Sequence, residues 1–181
     1  VRTRLTAGFG VVCVLLVASV LMGLMAMSRM GAGLKAVVAD HFPRIVAAAN
    51  LSTQIDVIAI ALRNMMLNAD AADRERQTQV IAQSRQEVVR LFDTLDKTLT
   101  ERKDRALLQK VKEQRALHLA SQEQLLGFIR RDQTDQSREY LASKLRPVLA
   151  SYKASIGALV ESEKNAIVTA GTDARDIALN A

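Results

Sequence analysis

The sequence predicts an all-α protein, an up-down-up-down four-helix bundle continuous with an N-terminal transmembrane helix. Three observations predict it. Leu5 to Ser28 runs 24 residues without a charge. Beyond it, apolar residues recur at helical spacing in long stretches separated by short polar turns. Glycine is absent between Leu34 and Leu126, Pro43 and Pro147 are the only prolines, and no stretch reads as strand.

A hydrocarbon core about 30 Å thick takes roughly 20 apolar residues as helix, and Leu5 to Met27 supplies 23. A cleaved signal peptide shares the basic start and the apolar run, with Ala26 near its end, but its apolar region is only about 7 to 15 residues long. Here helical periodicity continues past Met30, which favours a retained anchor. Arg2 and Arg4 then stay in the cytoplasm by the positive-inside rule, with Arg29 counting against the bias. The expected organisation is residues 1–4 inside, 5–28 across the membrane and 29–181 outside.

Helix one is expected to continue the spanning helix to about Ala69, with Ile55, Ile58, Ala59, Leu62, Met65 and Met66 at helical spacing. Asn68-Ala-Asp70-Ala-Ala-Asp73 interrupts it with N-cap residues. Helix two carries Ile81, Val88, Leu91, Leu95 and Leu99 on one face. Thr98-Leu-Thr-Glu101 has capping-box form and predicts a turn near residue 100. Helix three follows with Leu107, Leu108, Val111, His118, Leu125 and Ile129, and Asp132-Gln-Thr134-Asp135 supplies the next cap. Helix four runs from about Gln136 to the end, with Tyr140, Leu141, Leu145, Val148, Tyr152, Ile156, Leu159, Ile167 and Ile177 on its inner side. Helices two and three, at about 28 to 30 residues, reach roughly 45 Å. The outer ends of helices one and four point back toward the membrane, so a second spanning helix beyond Ala181 is the expected completion.

Aromatic content is 3% with no Trp, so Leu, Ile, Val, Ala and Met must build the core. Net charge is +6, of which Arg2, Arg4 and Arg29 flank the anchor. The remaining excess is mild, spread over alternating faces and without the basic, aromatic-interleaved stripe of a nucleic-acid binder. It is compatible with a small anionic ligand, and equally with ordinary solvated helix surface. Cys13, the only cysteine, lies in the anchor and excludes a disulfide framework or a Cys-based zinc site within one chain. There is no Gly-rich phosphate loop, no His-Glu-x-x-His and no nucleophile motif with a visible base. His41 has no partner spaced for metal. No enzyme activity, metal or cofactor is expected.

Several short motifs follow one another along the whole chain. Val1-Arg-Thr-Arg-Leu-Thr-Ala-Gly-Phe-Gly10 opens onto the apolar run, Ala61-Leu62-Arg63-Asn64 stands in helix one ahead of a short acidic turn, and Arg146-Pro147-Val148 precedes a leucine-periodic stretch and Glu161-Ser-Glu-Lys164. In that order they resemble the periplasmic sensory domain, with its first transmembrane helix, of a bacterial methyl-accepting chemotaxis protein of the four-helix-bundle type. The resemblance implies a chemoreceptor homodimer in the bacterial inner membrane, cytoplasmic signalling partners reached through a further C-terminal part, and a small ligand bound near the membrane-distal tip. That site lies between helix one of one subunit and helices one and four of its partner. Arg63, followed by Asn64, matches the arginine that holds a ligand carboxylate. Asn68 stands where a second, partner-subunit arginine is expected, a departure from the aspartate and serine receptors. Ser143, Lys144, Arg146, Pro147 and Val148 occupy the Pro-Thr step of helix four, with Val148 replacing the hydroxyl, and Tyr140 precedes them.

The chemistry of these residues agrees with that placement. Proline removes one helical amide, so the helix around Pro147 is expected to kink and offer backbone groups. Guanidinium forks hold carboxylates in a planar, bidentate way. Arg63 and Arg146, with Lys144 nearby, suit a di- or tricarboxylate of the malate or citrate kind better than a plain amino acid. The alternatives are an Arg63 that snorkels along the bundle and solvated or salt-bridging roles for Arg146 and Lys144. His118 lies seven residues from both Val111 and Leu125, on the core stripe and flanked by Arg115 and Gln122. A core histidine paired with Tyr152, in a polar layer with Arg115, is favoured there over a ligand contact. A sensor acts by sliding or rotating helix four against helix one. The same module ahead of a histidine kinase or cyclase, or a bundle that only assembles, is the competing reading, and a charge-lined tip favours ligand binding.

Overall fold

The computed structural model describes residues 15–25 and 41–179. Its elements are α1 (Leu15–Met25), α2 (Phe42–Leu67), α3 (Ala71–Thr98), α4 (Arg102–Arg130), α5 (Thr134–Tyr140), a π-helical turn (Leu141–Leu145) and α6 (Arg146–Leu179). No strand occurs among the described residues. The chain divides into two compact units, one of them Phe42–Lys164. In the other unit, α1 is apolar and exposed along nearly its whole length. The remainder of the expected span and its junction with helix one lie outside the described residues.

Within Phe42–Lys164 the partners on facing helices set the topology. Asn64 on α2 meets Gln77 on α3. Arg74, Arg85 and Asp96 on α3 meet Asp132, Glu123 and Lys112 at the end of and along α4. Asp104 and His118 on α4 meet Ser162 and Tyr152 on α6, and Arg44 and Asp56 on α2 meet Glu163 and Lys153 on α6. Between each pair of helices, residue number rises on one as it falls on the other, so neighbours are antiparallel and the bundle is up-down-up-down. The turns at residues 68–70 and 131–133 close one end, here the tip, and the turn at 99–101 closes the base.

Asp70 caps α3 as its sequence predicts, its carboxylate accepting from the Asp73 amide at 2.7 Å. The expected capping box at Thr98–Glu101 does not form. Leu99 is fully buried and carries the inner stripe of α3 to its end, so Thr98 closes that helix and its hydroxyl donates back to the Thr94 carbonyl at 2.8 Å. Glu101 precedes α4 without a side-chain cap. Likewise Asp132 does not cap α5; it sits in the left-handed region at φ 53°, which a short polar side chain tolerates, and its amide closes α4 on the Ile129 carbonyl.

Although α2 is long and apolar enough to cross a membrane, it is a core helix: Leu51, Ile55, Ile58, Leu62 and Met65 are all buried. Two apolar clusters result. The tip cluster gathers Ile58, Leu62, Met65, Ile81, Leu125, Ile129 and Leu145. The base cluster gathers Leu51, Ile55, Val88, Leu95, Leu99, Val111, Ile156 and Leu159. Between them lies a layer of polar side chains.

Candidate functional site

Pro147 has no N–H, and its ring crowds the carbonyl one turn back. The helix answers by widening: the Arg146 amide donates to the Leu141 carbonyl, five residues earlier. The expected disturbance at Pro147 thus takes the form of a π-helical turn, which carries Ser143 and Lys144 on its exposed side. Arg146 follows, exposed, and Val148 is half-buried.

Arg63 is exposed on α2. Neither Arg63, Lys144 nor Arg146 makes a hydrogen bond or ion pair among the described residues. Lys153 on α6 grips both carboxylate oxygens of Asp56 on α2 at 2.9 and 2.8 Å, which fixes the register of the two helices. Seven residues make about two helical turns, or roughly 10 Å. Two turns toward the tip from Asp56 stands Arg63, and two turns toward the tip from Lys153 stands Arg146. The same count keeps each residue near the face of its helix that bears the ion pair.

Asn64, Asn68 and Tyr140 are instead used inside the chain. The Asn64 amide reaches Gln77 at 3.4 Å. Asn68 accepts from the Asp70 amide at 3.0 Å and donates to Asp73 at 3.2 Å, building the α2–α3 turn. The Tyr140 hydroxyl donates to Gln124 at 2.9 Å while its ring leans on Phe128, centroids 5.5 Å apart, which pins α5 to α4.

Arg115, His118 and Tyr152 lie in the middle of the bundle. His118 touches Tyr152 ring to ring at 5.4 Å and 52°. The Gln122 amide nitrogen stands 3.2 Å from Nδ1 and 3.4 Å from Nε2 of the His118 ring, and the Gln122 oxygen accepts from Arg85 at 2.8 Å. Arg85 also grips Glu123 at 2.8 Å. Arg115 lies over the Phe92 ring, 5.0 Å from its centroid. Burial, and then the Arg85 guanidinium, hold the His118 imidazole down at about 4. Burial pushes the Tyr152 phenol up to about 12, against the Arg115 charge. The Tyr152 hydroxyl is buried without a hydrogen-bond partner and faces a cavity of about 20 Å³ shared with His118, Gln122, Arg85 and Arg115. Ile55, Ile58, Val88 and Leu119 complete its mostly apolar lining, and a space of that size admits at most about one water.

Arg85 and Gln122 were legible in part. Arg85 lies four residues after Ile81 and three before Val88, a charge beside the inner stripe of α3. Nothing in one sequence tells that its partner is Gln122, 37 residues on. A second buried polar group lies toward the base, where the Ser162 hydroxyl donates to Asp104 at 2.8 Å and Arg44 faces Glu163 at 3.7 Å. Among the described residues no group of His, Cys, Asp or Glu is placed to hold a metal ion.

No curated protein matches this chain. A family model described as a four helix bundle sensory module for signal transduction matches residues 1–178. With the antiparallel bundle and the match over nearly its entire length, the chain belongs to the four-helix-bundle sensory family of the methyl-accepting chemotaxis receptors.

Proposed function

We propose that this sensory module binds a small organic acid with two or three carboxylates, of the malate or citrate kind, and reports its occupancy across the bacterial inner membrane to control chemotaxis. Residues 1–4 are then cytoplasmic, 5–28 span the membrane and 29–181 form the periplasmic domain. The observation that carries the reading is the α2–α6 seam near the tip. Arg63, Lys144 and Arg146 are exposed cations without internal partners, and the Asp56–Lys153 register brings the two arginines to one level. Uncompensated guanidinium forks side by side suit a polycarboxylate, because each fork takes one carboxylate in bidentate fashion. Ser143 and the carbonyls of the widened turn supply further polar contacts beside Val148, while Asn64, Asn68 and Tyr140 hold the neighbouring elements in place.

The reading includes a homodimer, and the exposed face of α2 supports it. Phe42, Val46, Ala49, Thr53, Ile60 and Leu67 are exposed and, with Arg63 and the half-buried Asp56, fall on one alternating four-three spacing. Such a stripe is the pattern of a two-stranded coiled-coil seam. A second copy covering it would bring its own Arg63 to the site. Ligand held between α2 and α6 biases their relative displacement, and a coupling of about 1 to 3 kcal/mol is enough to shift a two-state receptor. The α6 helix carries that displacement toward the membrane.

Calorimetric titration of the protein against di- and tricarboxylates and amino acids tests this. Saturable heat with an organic acid is expected, and Arg63→Ala is expected to weaken it by about 1.5 to 3 kcal/mol. Unchanged affinity in that variant removes Arg63 from the site, and silence across the panel favours an assembly module.

A further inference from the structure

The α3–α4 seam opens near the tip into a groove of about 720 Å³, within the usual range for small-molecule sites, roughly 300 to 1,000 Å³. Its floor is apolar, made of Met65, Ile81, Leu126 and Ile129. Its walls carry three cations, Arg74, Arg85 and Arg130, and three acids, Glu75, Glu123 and Asp132.

These charges are unequally engaged. Arg74 holds Asp132 at 2.7 Å, and Arg85 holds Glu123 at 2.8 Å. Arg130 is largely exposed, reaches Glu123 only at 3.6 Å and spends its Nε on the Leu126 carbonyl. Since a guanidinium carries five donors, most of the Arg130 fork is available to a ligand. Glu75, hydrogen-bonded only by Gln79, keeps one negative charge on the rim. That charge repels a second carboxylate on a ligand already held by Arg130.

One wall residue also belongs to the interior. Arg85 lines both this groove and the small cavity of the polar layer. Its two terminal nitrogens divide between Glu123 in the groove and Gln122 in the layer. Glu123 itself is shared between Arg85 and Arg130. A carboxylate that takes Arg130 releases Glu123 to Arg85, draws Arg85 outward, and loosens the Gln122 amide that holds His118 against Tyr152 of α6.

We propose that the α3–α4 groove is a second small-molecule site, for a compound with one carboxylate on an apolar body, and that Arg85 relays its occupancy to α6 through Gln122 and His118. The site is distinct from the α2–α6 seam in position and in ligand class.

The test is titration of the full chain in detergent micelles with 3-phenylpropanoate and with phenylalanine, followed by calorimetry and by NMR of the imidazoles of its 2 histidines. Saturable binding of either probe is expected, with a shift of the His118 resonances. Binding of the first alone assigns the groove to plain carboxylates, and binding of the second alone to amino acids. Arg130→Ala and Ala82→Trp, both at exposed groove positions, are each expected to weaken binding about tenfold or more. Arg63→Ala is expected to leave it unchanged. Failure of both probes to saturate at millimolar concentration overturns the site, as does binding indifferent to Arg130→Ala and Ala82→Trp. Binding abolished by Arg63→Ala returns the ligand to the α2–α6 seam. Binding without a His118 shift overturns the relay.

Discussion

On the α2–α6 seam, Arg63, Lys144 and Arg146 stand exposed with no answering charge among the described residues, whereas the arginines that face the inner layer are engaged. Arg85 divides itself between Glu123 and Gln122, and Arg115 lies over Phe92. The difference separates two uses of one residue type. A guanidinium engaged inside the chain, by hydrogen bonds or over a ring, contributes to the choice of packing; one left on the surface contributes almost nothing to folding and is available to a ligand. The two regions therefore respond oppositely to substitution, stability moving in one and affinity in the other.

The largest contrast is expected beside the layer. Leu125 is fully buried in the tip cluster, and Leu125→Ala is expected to lower the unfolding free energy by about 2 to 5 kcal/mol in a urea titration. Arg63→Ala, measured the same way, is expected to stay within about 0.5 kcal/mol of the parent. Comparable losses in both would erase the distinction drawn here.

Next comes pH. Burial and Arg85 hold His118 at about 4, below its ordinary 6.5, so the unfolded chain takes up this proton before the folded one does. The stabilisation is complete above pH 6.5 and drains away as pH falls toward 4. With about 1.4 kcal/mol for each pKa unit, the loss is about 3 kcal/mol. Thermal melts between pH 7 and 4 are expected to show it, and His118→Gln to show a shallower fall. Equal slopes in the two proteins would mean that carboxylates alone set the acid sensitivity.

Tyr152→Phe sharpens the view of the layer itself. Because the hydroxyl is buried without a protein partner, its removal is expected to raise stability by about 1 kcal/mol. A loss of similar size would show that a water in the small cavity satisfies it. The smallest effect belongs to the Asp56–Lys153 pair, half-exposed at both ends. Asp56→Asn is expected to cost about 0.2 to 1 kcal/mol, yet to weaken organic-acid binding if that pair sets the level of Arg146 against Arg63.

Much of the fold was legible because helical spacing is written locally. Leu91, Leu95, Leu99, Leu108, Val111, Leu125 and Ile129 fall where a 3.6-residue period places an inner face, and all are buried. The turn near residue 100 was legible too, but for the wrong reason, since burial of Leu99 took Thr98 for the end of α3. Asp70 worked as a cap because its partner is three residues away. The exposed seam was legible as a set of cations and the polar layer as a histidine on a core stripe. Its bonds were not: Gln122, read as a flank of His118, is the group that holds it.

The sequence by itself determined the helices, their inner faces, the proline at which α6 is disturbed and the balance of charge, because each depends on neighbours within a turn or two. Only the tertiary structure decided that Arg85 meets Gln122, that Lys153 meets Asp56, and that Asn64 and Tyr140 meet Gln77 and Gln124. Those pairings depend on the register between helices. Register is set by the sum of packing and polar bonds along whole facing surfaces, which no stretch of one helix contains.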